Sequence, residues 1–316
     1  MMTPDLSIIF PAYNVADYIS DAIRSVLAVS NLTVELIVVD DGSTDNLTEA
    51  LREFEGLSNL IVVHQANQGA GIARNKGLEA ATGNYVLFMD PDDRINAAAL
   101  EEVFAETKKQ PEMVIFAMSL KNATTHAVTT PNYALPAKRY EENADLVADL
   151  CTHQKMMTYT PPWNKLIRRD FLGAHPELRF TDQRTGQDVL FAIDLWNIVN
   201  KAVWCPTPAY CYTLGRAEGA SHKRRPQFIL DAATICAKLL RDCPDKRVAD
   251  DLIVSYGMRE LRFCKPEAGF FNYLAASPLK QALSQVRFFK LPWGRKLQYL
   301  TRRIPLTAYV YYRLNQ

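Results

Sequence analysis

Val34-Glu35-Leu36-Ile37-Val38-Val39-Asp40-Asp41-Gly42-Ser43-Thr44-Asp45 decides the reading of the chain. A short apolar run rich in β-branched residues stops abruptly at two aspartates and a glycine. That is the pattern of a buried strand ending in a turn. Asp45 then stands where it can cap a helix running to about Glu55. Upstream, Leu6 to Phe10 is another apolar run, halted at Pro11, and Ala16 to Val29 spaces Ile19, Ile23, Val26 and Leu27 as one helical face. Downstream, Leu60 to Val63, Tyr85 to Met89 and Met113 to Met118 read as strands. The segments Gly69 to Ala81 and Ala97 to Lys108 read as the helices between them. Strands alternating with helices of this length predict crossover connections and an α/β fold with a mostly parallel central sheet.

In such sheets ligands bind beyond the carboxyl ends of the strands. The acidic residues fall there: Asp40 and Asp41 after the second strand, Asp90, Asp92 and Asp93 after the fourth. Carboxylates gathered at a strand end suit a hard divalent cation, Mn2+ or Mg2+, that bridges them to a diphosphate. An acidic turn capping the helix from Ala97 is the plain alternative. Asn67-Gln68-Gly69-Ala70-Gly71 offers close backbone approach, and Arg74 follows as a candidate nucleotide contact or an ordinary surface cation.

The later chain is less regular. Residues 120 to 140 read as loop or edge strand, Glu141 to Cys151 as helix, and Thr160 to Asp170 as irregular at first. Asp188 to Asn200 reads as a helix and Tyr210 to Thr213 as a strand. The composition then shifts, with a helical region from Arg225. This organises the chain as 1–222, with a first part at about 5–118 and a second at about 119–222, followed by a helical region at 223–316.

Composition bounds the rest. The chain has 316 residues, 48% of them hydrophobic, and a formal net charge of +1, so bulk charge names no partner. No apolar run approaches about 18 residues, and the amino terminus lacks a basic stretch followed by an apolar one, so neither a spanning helix nor a secretory signal is expected. Six cysteines without a Cys-x-x-Cys pair fit reduced thiols of a cytoplasmic protein.

Taken in order, Pro11-Ala12-Tyr13-Asn14, Asp40-Asp41-Gly42-Ser43-Thr44-Asp45, Asn67-Gln68-Gly69 with Ala73-Arg74-Asn75, Ala81-Thr82-Gly83 and Asp90-Pro91-Asp92-Asp93 resemble the inverting family 2 glycosyltransferases of GT-A fold. The resemblance is strong over the first hundred residues and patchier to about residue 222, and it implies a nucleotide-sugar-binding part at about 5–118 and an acceptor part at about 119–222. It implies transfer of a sugar from a nucleotide-diphosphate donor, UDP-linked by expectation, to a glycan or lipid-linked acceptor in surface polysaccharide synthesis. By that resemblance Pro11 and Tyr13 line the base pocket, and Asp41 accepts a hydrogen bond from the base. Arg74 lies beside the nucleotide, Asp90 approaches ribose or metal, and Asp92, with Asp93 beside it, binds the metal. Pro91 stands where the family usually has a small residue.

Pro162-Trp163-Asn164-Lys165 resembles a segment of bacterial polysaccharide members, in which Trp163 would floor a sugar subsite and Lys165 meet phosphate or acceptor. A core tryptophan and a solvated lysine are the alternatives. Gln187-Asp188 falls where the family usually has Glu-Asp before an apolar helix, which implies Asp188 as the base and leaves Gln187 as a departure. A helix cap is the other reading of Asp188. His222 would approach metal or diphosphate, or simply be exposed.

After Glu267 the chain has no acidic side chain. Lys280, Arg287, Lys290, Arg295, Lys296, Arg302, Arg303 and Arg313 alternate with Phe288, Phe289, Trp293, Tyr299, Tyr309, Tyr311 and Tyr312. This mixture suits an anionic membrane surface, and so a peripheral position at the inner face of the plasma membrane. It equally suits a cap packed on the first domain; nucleic acid is the weakest reading. Two rivals remain. A catalytically silent nucleotide-sugar-binding relative is suggested by Gln187. A sugar nucleotidyltransferase would need a glycine-rich basic loop after the first strand, where Pro11-Ala12-Tyr13-Asn14 stands instead.

Overall fold

The structure, a computed structural model, describes residues 3–131, 133, 135–153, 160–215, 227–246, 248–250 and 253. The chain forms two compact units. The first is Met1–Gln183 with Ile198–Glu218, and the second is Arg184–Asn197 with Gly219–Gln316.

The first unit is an α/β layer structure on one mixed sheet. Its opening strands are β1 (Leu6–Ala12), β2 (Val34–Asp40), β3 (Leu60–His64) and β4 (Tyr85–Phe88), separated by helices α1 (Ala16–Leu27), α2 (Leu47–Leu51) and α3 (Ala70–Ala80). All pairings among these four strands are parallel, with Leu6 opposite Val34, Leu36 opposite Leu60 and Leu6 opposite Tyr85. Every residue of β1 is buried, as expected of a central strand covered on both faces.

The remainder departs from a parallel sheet. After β5 (Arg94–Ile95) and α4 (Ala97–Ala105) come β6 (Met113–Asn122), β7 (Val128–Thr129), β8 (Lys138–Tyr140), α5 (Asn143–His153), β9 (Lys165–Arg168) and α6 (Arg169–Ala174). The strand β10 (Ala202–Leu214) closes the unit, and the order is β3-β2-β1-β4-β9-β6-β10-β5. β9 runs antiparallel between β4 and β6, with Ile167 opposite both Val86 and Met113. The reading of 160–170 as irregular at first therefore holds only to Asn164. A four-residue strand with Lys and Arg at its ends has neither the alternation nor the length that marks a strand. β10 pairs in parallel with β6, with register shifts between Cys205 and Pro208 and between Pro208 and Tyr210.

Two glycines set how tightly this half packs. A Cβ on Gly77 of α3 would lie 2.3 Å from Ile9 Cγ2, so the helix rests directly on β1. A Cβ on Gly83 would lie 2.7 Å from the Ser7 backbone nitrogen and 2.6 Å from its Oγ. Gly83 N–H donates to Ser7 Oγ and to Glu35 Oε1, both at 2.9 Å. Ser7 Oγ also donates to Glu35, and Thr82 Oγ1 donates to Glu35 Oε2 at 2.8 Å. Ala81-Thr82-Gly83 is thus a clasp on a buried carboxylate at the amino end of the sheet. Burial pushes the Glu35 carboxyl upward, but the hydrogen bonds from Ser7, Thr82 and Gly83 outweigh it and hold it below the ordinary range. A lowered folded value contributes stability above the unfolded value and loses it as pH falls through the folded one. Glu35→Gln is expected to lower the urea midpoint at neutral pH, with the gap to wild type narrowing below about pH 4. Gly83→Ala, which meets backbone that cannot move aside, is expected to cost about 2–3 kcal/mol in the same titration.

In the second unit α7 (Gln187–Ile198) carries buried Val189, Leu190, Phe191, Ile193, Leu195 and Trp196. There α8 (Gln227–Asp242) is held by Lys238 Nζ, which donates to Asp194 at 2.6 Å and Asp242 at 3.1 Å. No helix among the described residues is long and apolar enough to cross a membrane.

Candidate active site

The parallel register brings the ends of β1, β2 and β4 to one rim. Ala12 lies opposite Asp40. Asp41 N–H donates to Ala12 O at 2.8 Å, and Met89 N–H to Ile9 O at 2.9 Å. The loops after these strands are joined by side chains. Asn14 takes a left-handed φ of 54°, which asparagine tolerates better than most residues. Its N–H donates to Ser43 Oγ at 3.1 Å, and its Oδ1 accepts from Thr44 N–H at 2.8 Å. Asp45 Oδ1 accepts from Leu47 N–H at 3.2 Å, although the N-cap of α2 is Asn46 and not the expected Asp45, while Oδ2 takes Ala16 N–H at 2.9 Å. This lacing leaves Tyr13 46% exposed at the rim, with Pro11 buried beneath it.

Asp41 is buried, and its carboxylate organises the loop after β3. It accepts from Gln65 Nε2 at 2.8 Å, Gln68 N–H at 2.7 Å and Gly69 N–H at 2.8 Å. Gly69, at φ 97°, then starts α3. Neighbouring Asp40 accepts from Ser43 N–H at 2.8 Å and meets His64 Nδ1 at 3.1 Å. Burial raises its carboxyl, but Ser43 and His64 more than offset that and hold it low.

Arg74 projects from the first turns of α3 and is 5% exposed. Its Nη2 donates to Asp90 Oδ1 at 2.7 Å, and its guanidinium lies 5.3 Å from the centre of the Phe180 ring. Phe180 is clamped from the next residue: Asn75 Nδ2 donates to Phe180 O at 2.7 Å, and Asn75 Oδ1 accepts Phe180 N–H at 2.9 Å. In the sequence Asn75 stands out only within the Ala73-Arg74-Asn75 motif, and Phe180 does not stand out at all. A contact across 105 residues leaves no local signal.

Asp90 to Asp93 is a β-turn closed by Asp93 N–H donating to Asp90 O at 3.1 Å. Pro91 occupies the second turn position, where its fixed φ is favourable and no N–H is needed. The unusual proline is therefore compatible with the turn. Asp90 and Asp92 are half-buried. Asp93 is 2% exposed; its Oδ2 accepts Tyr210 OH at 2.9 Å and its Oδ1 accepts Thr213 N–H at 2.8 Å. Burial, with Asp90 close by, pushes its carboxyl well above the ordinary range. Both oxygens of Asp93 thus hold β10 in place. The acidic turn does not cap α4, whose first N–H groups are met by Asn96 Oδ1, accepting Ala99 N–H at 3.2 Å.

Trp163 is 5% exposed and stacked on Tyr210 at 4.5 Å and 12°, and on Tyr212 at 5.4 Å and 14°. It belongs to the hydrophobic core, which leaves little indole face for a sugar. Lys165 is 1% exposed, and its Nζ donates to Pro161 O at 2.6 Å and Asn164 Oδ1 at 2.8 Å. It is not solvated: it opens β9, and the antiparallel pairing of Val86 with Ile167 sets it level with the end of β4. Gln187 and Asp188 begin α7 in the second unit, where Asp188 Oδ1 accepts Val189 N–H at 3.0 Å. His222 and the basic, aromatic stretch 280–316 lie outside the described residues.

Among the described residues no group of three or more His, Cys, Asp or Glu converges on one point as a ready-made metal cage. Two half-buried carboxylates on one turn still fit a Mg2+ or Mn2+ that takes its other ligands from substrate phosphates and water. Arg74 beside Asp90 offsets part of the negative charge there.

An exposed aromatic, an arginine–aspartate pair and an acidic turn at the carboxyl rim of parallel strands stand where α/β proteins bind ligands. Residues 7–175, more than half of the chain, match the family described as Glycosyl transferase family 2. The chain belongs to that family. It is 28% identical over 218 residues to EpsH of Bacillus subtilis, covering 68% of this chain and 62% of EpsH. It is 45% identical over 101 residues to TuaG of Bacillus subtilis, described as a teichuronic acid biosynthesis glycosyltransferase, covering 31% of this chain and 40% of TuaG. This chain thus spans less than two thirds of either relative. The crystal structure of S. aureus TarS 1-349 in complex with UDP-GlcNAc is similar in fold, with a TM-score of 0.65 at 22% identity over 98% of this chain and 87% of that one.

Proposed function

We propose that the protein is an inverting glycosyltransferase that moves a sugar from a UDP-linked donor to a hydroxyl of a glycan or lipid-linked acceptor. The observation that carries this is the gathering of Tyr13, the Asp41-held loop, the Arg74–Asp90 pair and the Asp90–Asp93 turn at one rim. In this reading Tyr13 and Pro11 face the base, and Asp41 uses its remaining acceptor capacity toward the base edge. Arg74, beside the nucleotide, holds Asp90 toward the metal. Asp92, with Asp90, would hold Mn2+ or Mg2+, which when bound neutralises charge on the departing diphosphate. Asp188 takes the proton of the acceptor hydroxyl as its oxygen attacks the anomeric carbon from the face opposite the breaking bond.

The UDP preference is supported by TarS, solved with UDP-GlcNAc and with UDP, which makes a hexosyl or N-acetylhexosaminyl donor the first to try. A role in surface polysaccharide assembly is supported by the teichuronic acid assignment of TuaG. On this reading the enzyme works in the cytoplasm. Its carboxyl-terminal basic and aromatic residues would bring it to an anionic membrane where a lipid-linked acceptor resides.

The test is a thermal-shift panel of UDP-, GDP-, dTDP- and CMP-sugars with Mn2+, followed by donor turnover. A rise in melting temperature for one nucleotide class, larger with Mn2+ than without, supports the reading. No shift with any class overturns it. Gln187 favours one second reading, a binding protein without turnover; donor hydrolysis in the presence of Mn2+ would exclude it.

A further inference from the structure

We infer that Tyr210 is a positioning residue that sets the acidic turn from behind, a role that rests on the donor-site reading above. Tyr210 is fully buried on β10. Its hydroxyl is a junction: it accepts Asp90 N–H at 3.1 Å and donates to Asp93 Oδ2 at 2.9 Å. One oxygen atom therefore touches both ends of the Asp90–Asp93 turn, and Asp92 lies between them. The strand is shaped for this. The register of β10 against β6 shifts just before Tyr210, and such irregularities re-aim a side chain. The chain leaving the turn returns to the same place. Ile95 pairs with Tyr210, and Asn96 N–H donates to Ala209 O at 2.9 Å. Trp163, stacked at 4.5 Å, fixes the ring plane. The Pro162-Trp163 segment thus reaches the site through Tyr210.

A phenylalanine would fill the same volume and keep the same stack. Burying a hydroxyl against a carboxylate is unfavourable unless both are satisfied, and here each satisfies the other and the Asp90 amide. Without the hydroxyl the Asp90 N–H and Asp93 Oδ2 lose a buried partner and the turn relaxes. The loss should be felt by whatever the turn holds, the diphosphate with its cation, and not by the base-side contacts around Tyr13 and Asp41.

The experiment compares Tyr210→Phe with wild type by calorimetric titration of UDP with and without Mn2+, and by an NMR titration of uridine, which has no phosphate. The expected result is a fall of about tenfold in UDP affinity with Mn2+, the worth of one buried hydrogen bond, at unchanged uridine affinity. Unchanged UDP affinity, or a parallel loss for both ligands, overturns the role. A wild-type chain whose UDP binding Mn2+ does not tighten overturns the donor-site reading itself and this inference with it. Should Tyr210→Phe fail to fold, Trp163→Phe loosens the stack while keeping the hydroxyl. It is expected to give a smaller but equally selective loss, and equal losses for UDP and uridine count against the role.

Discussion

Asp92→Asn is expected to lower sugar transfer on the order of a thousandfold, the cost typical of removing one group that stabilises developing charge. The substitution keeps the size of the side chain and leaves the turn's own bonds in place. Those are the Asp93 N–H to Asp90 O closure and the two contacts of Tyr210 OH. What it removes is negative charge on the half-buried side chain between them. Asp90 already shares its charge with Arg74 at 2.7 Å, and Asp93 is committed to Tyr210 and Thr213. Asp92, half-buried on the same turn, is the carboxylate that the proposed function gives to the cation. Binding should separate in the same way: uridine held as in wild type, UDP no longer tightened by Mn2+. Retained Mn2+-dependent transfer in Asp92→Asn would move the cation elsewhere.

This division of labour among three neighbouring aspartates could not be read from their spacing. The sequence marks where a strand ends and that carboxylates follow it, because apolar runs and their termination are local signals. The rim itself was legible for that reason: β1, β2 and β4 are continuous apolar runs whose register is dictated by burial on both faces. Which aspartate faces the rim depends on β10, whose Tyr210 is 117 residues from Asp93. The same gap explains Trp163 and Lys165. A tryptophan and a lysine beside two prolines look like a ligand-facing loop until β9 is seen to run through the middle of the sheet, where Trp163 stacks on Tyr210 and Lys165 bonds to Pro161 and Asn164. Gly83 sits between these cases. Its place in a motif was visible, but its reason, a Ser7 backbone nitrogen 2.7 Å from any Cβ, belongs to the close approach of a distant segment.

Asp188→Asn carries the other large expected effect, a loss of about 100- to 10,000-fold in kcat, the range for removing a general base. Asp188 stands in the first turn of α7 with Oδ1 accepting Val189 N–H at 3.0 Å. Negative charge is favoured at that end of a helix, and asparagine keeps an oxygen for the same bond, so the helix start should survive. Donor affinity should therefore be unchanged while turnover falls, a split that a merely structural cap would not produce. Gln187→Glu supplies the complementary arm, since Gln187 stands where a family glutamate is usual. If Asp188 is the base, restoring the glutamate changes turnover little. A large gain from Gln187→Glu, together with a silent Asp188→Asn, would transfer the proton-accepting role to position 187 and make the present chain a weakened enzyme.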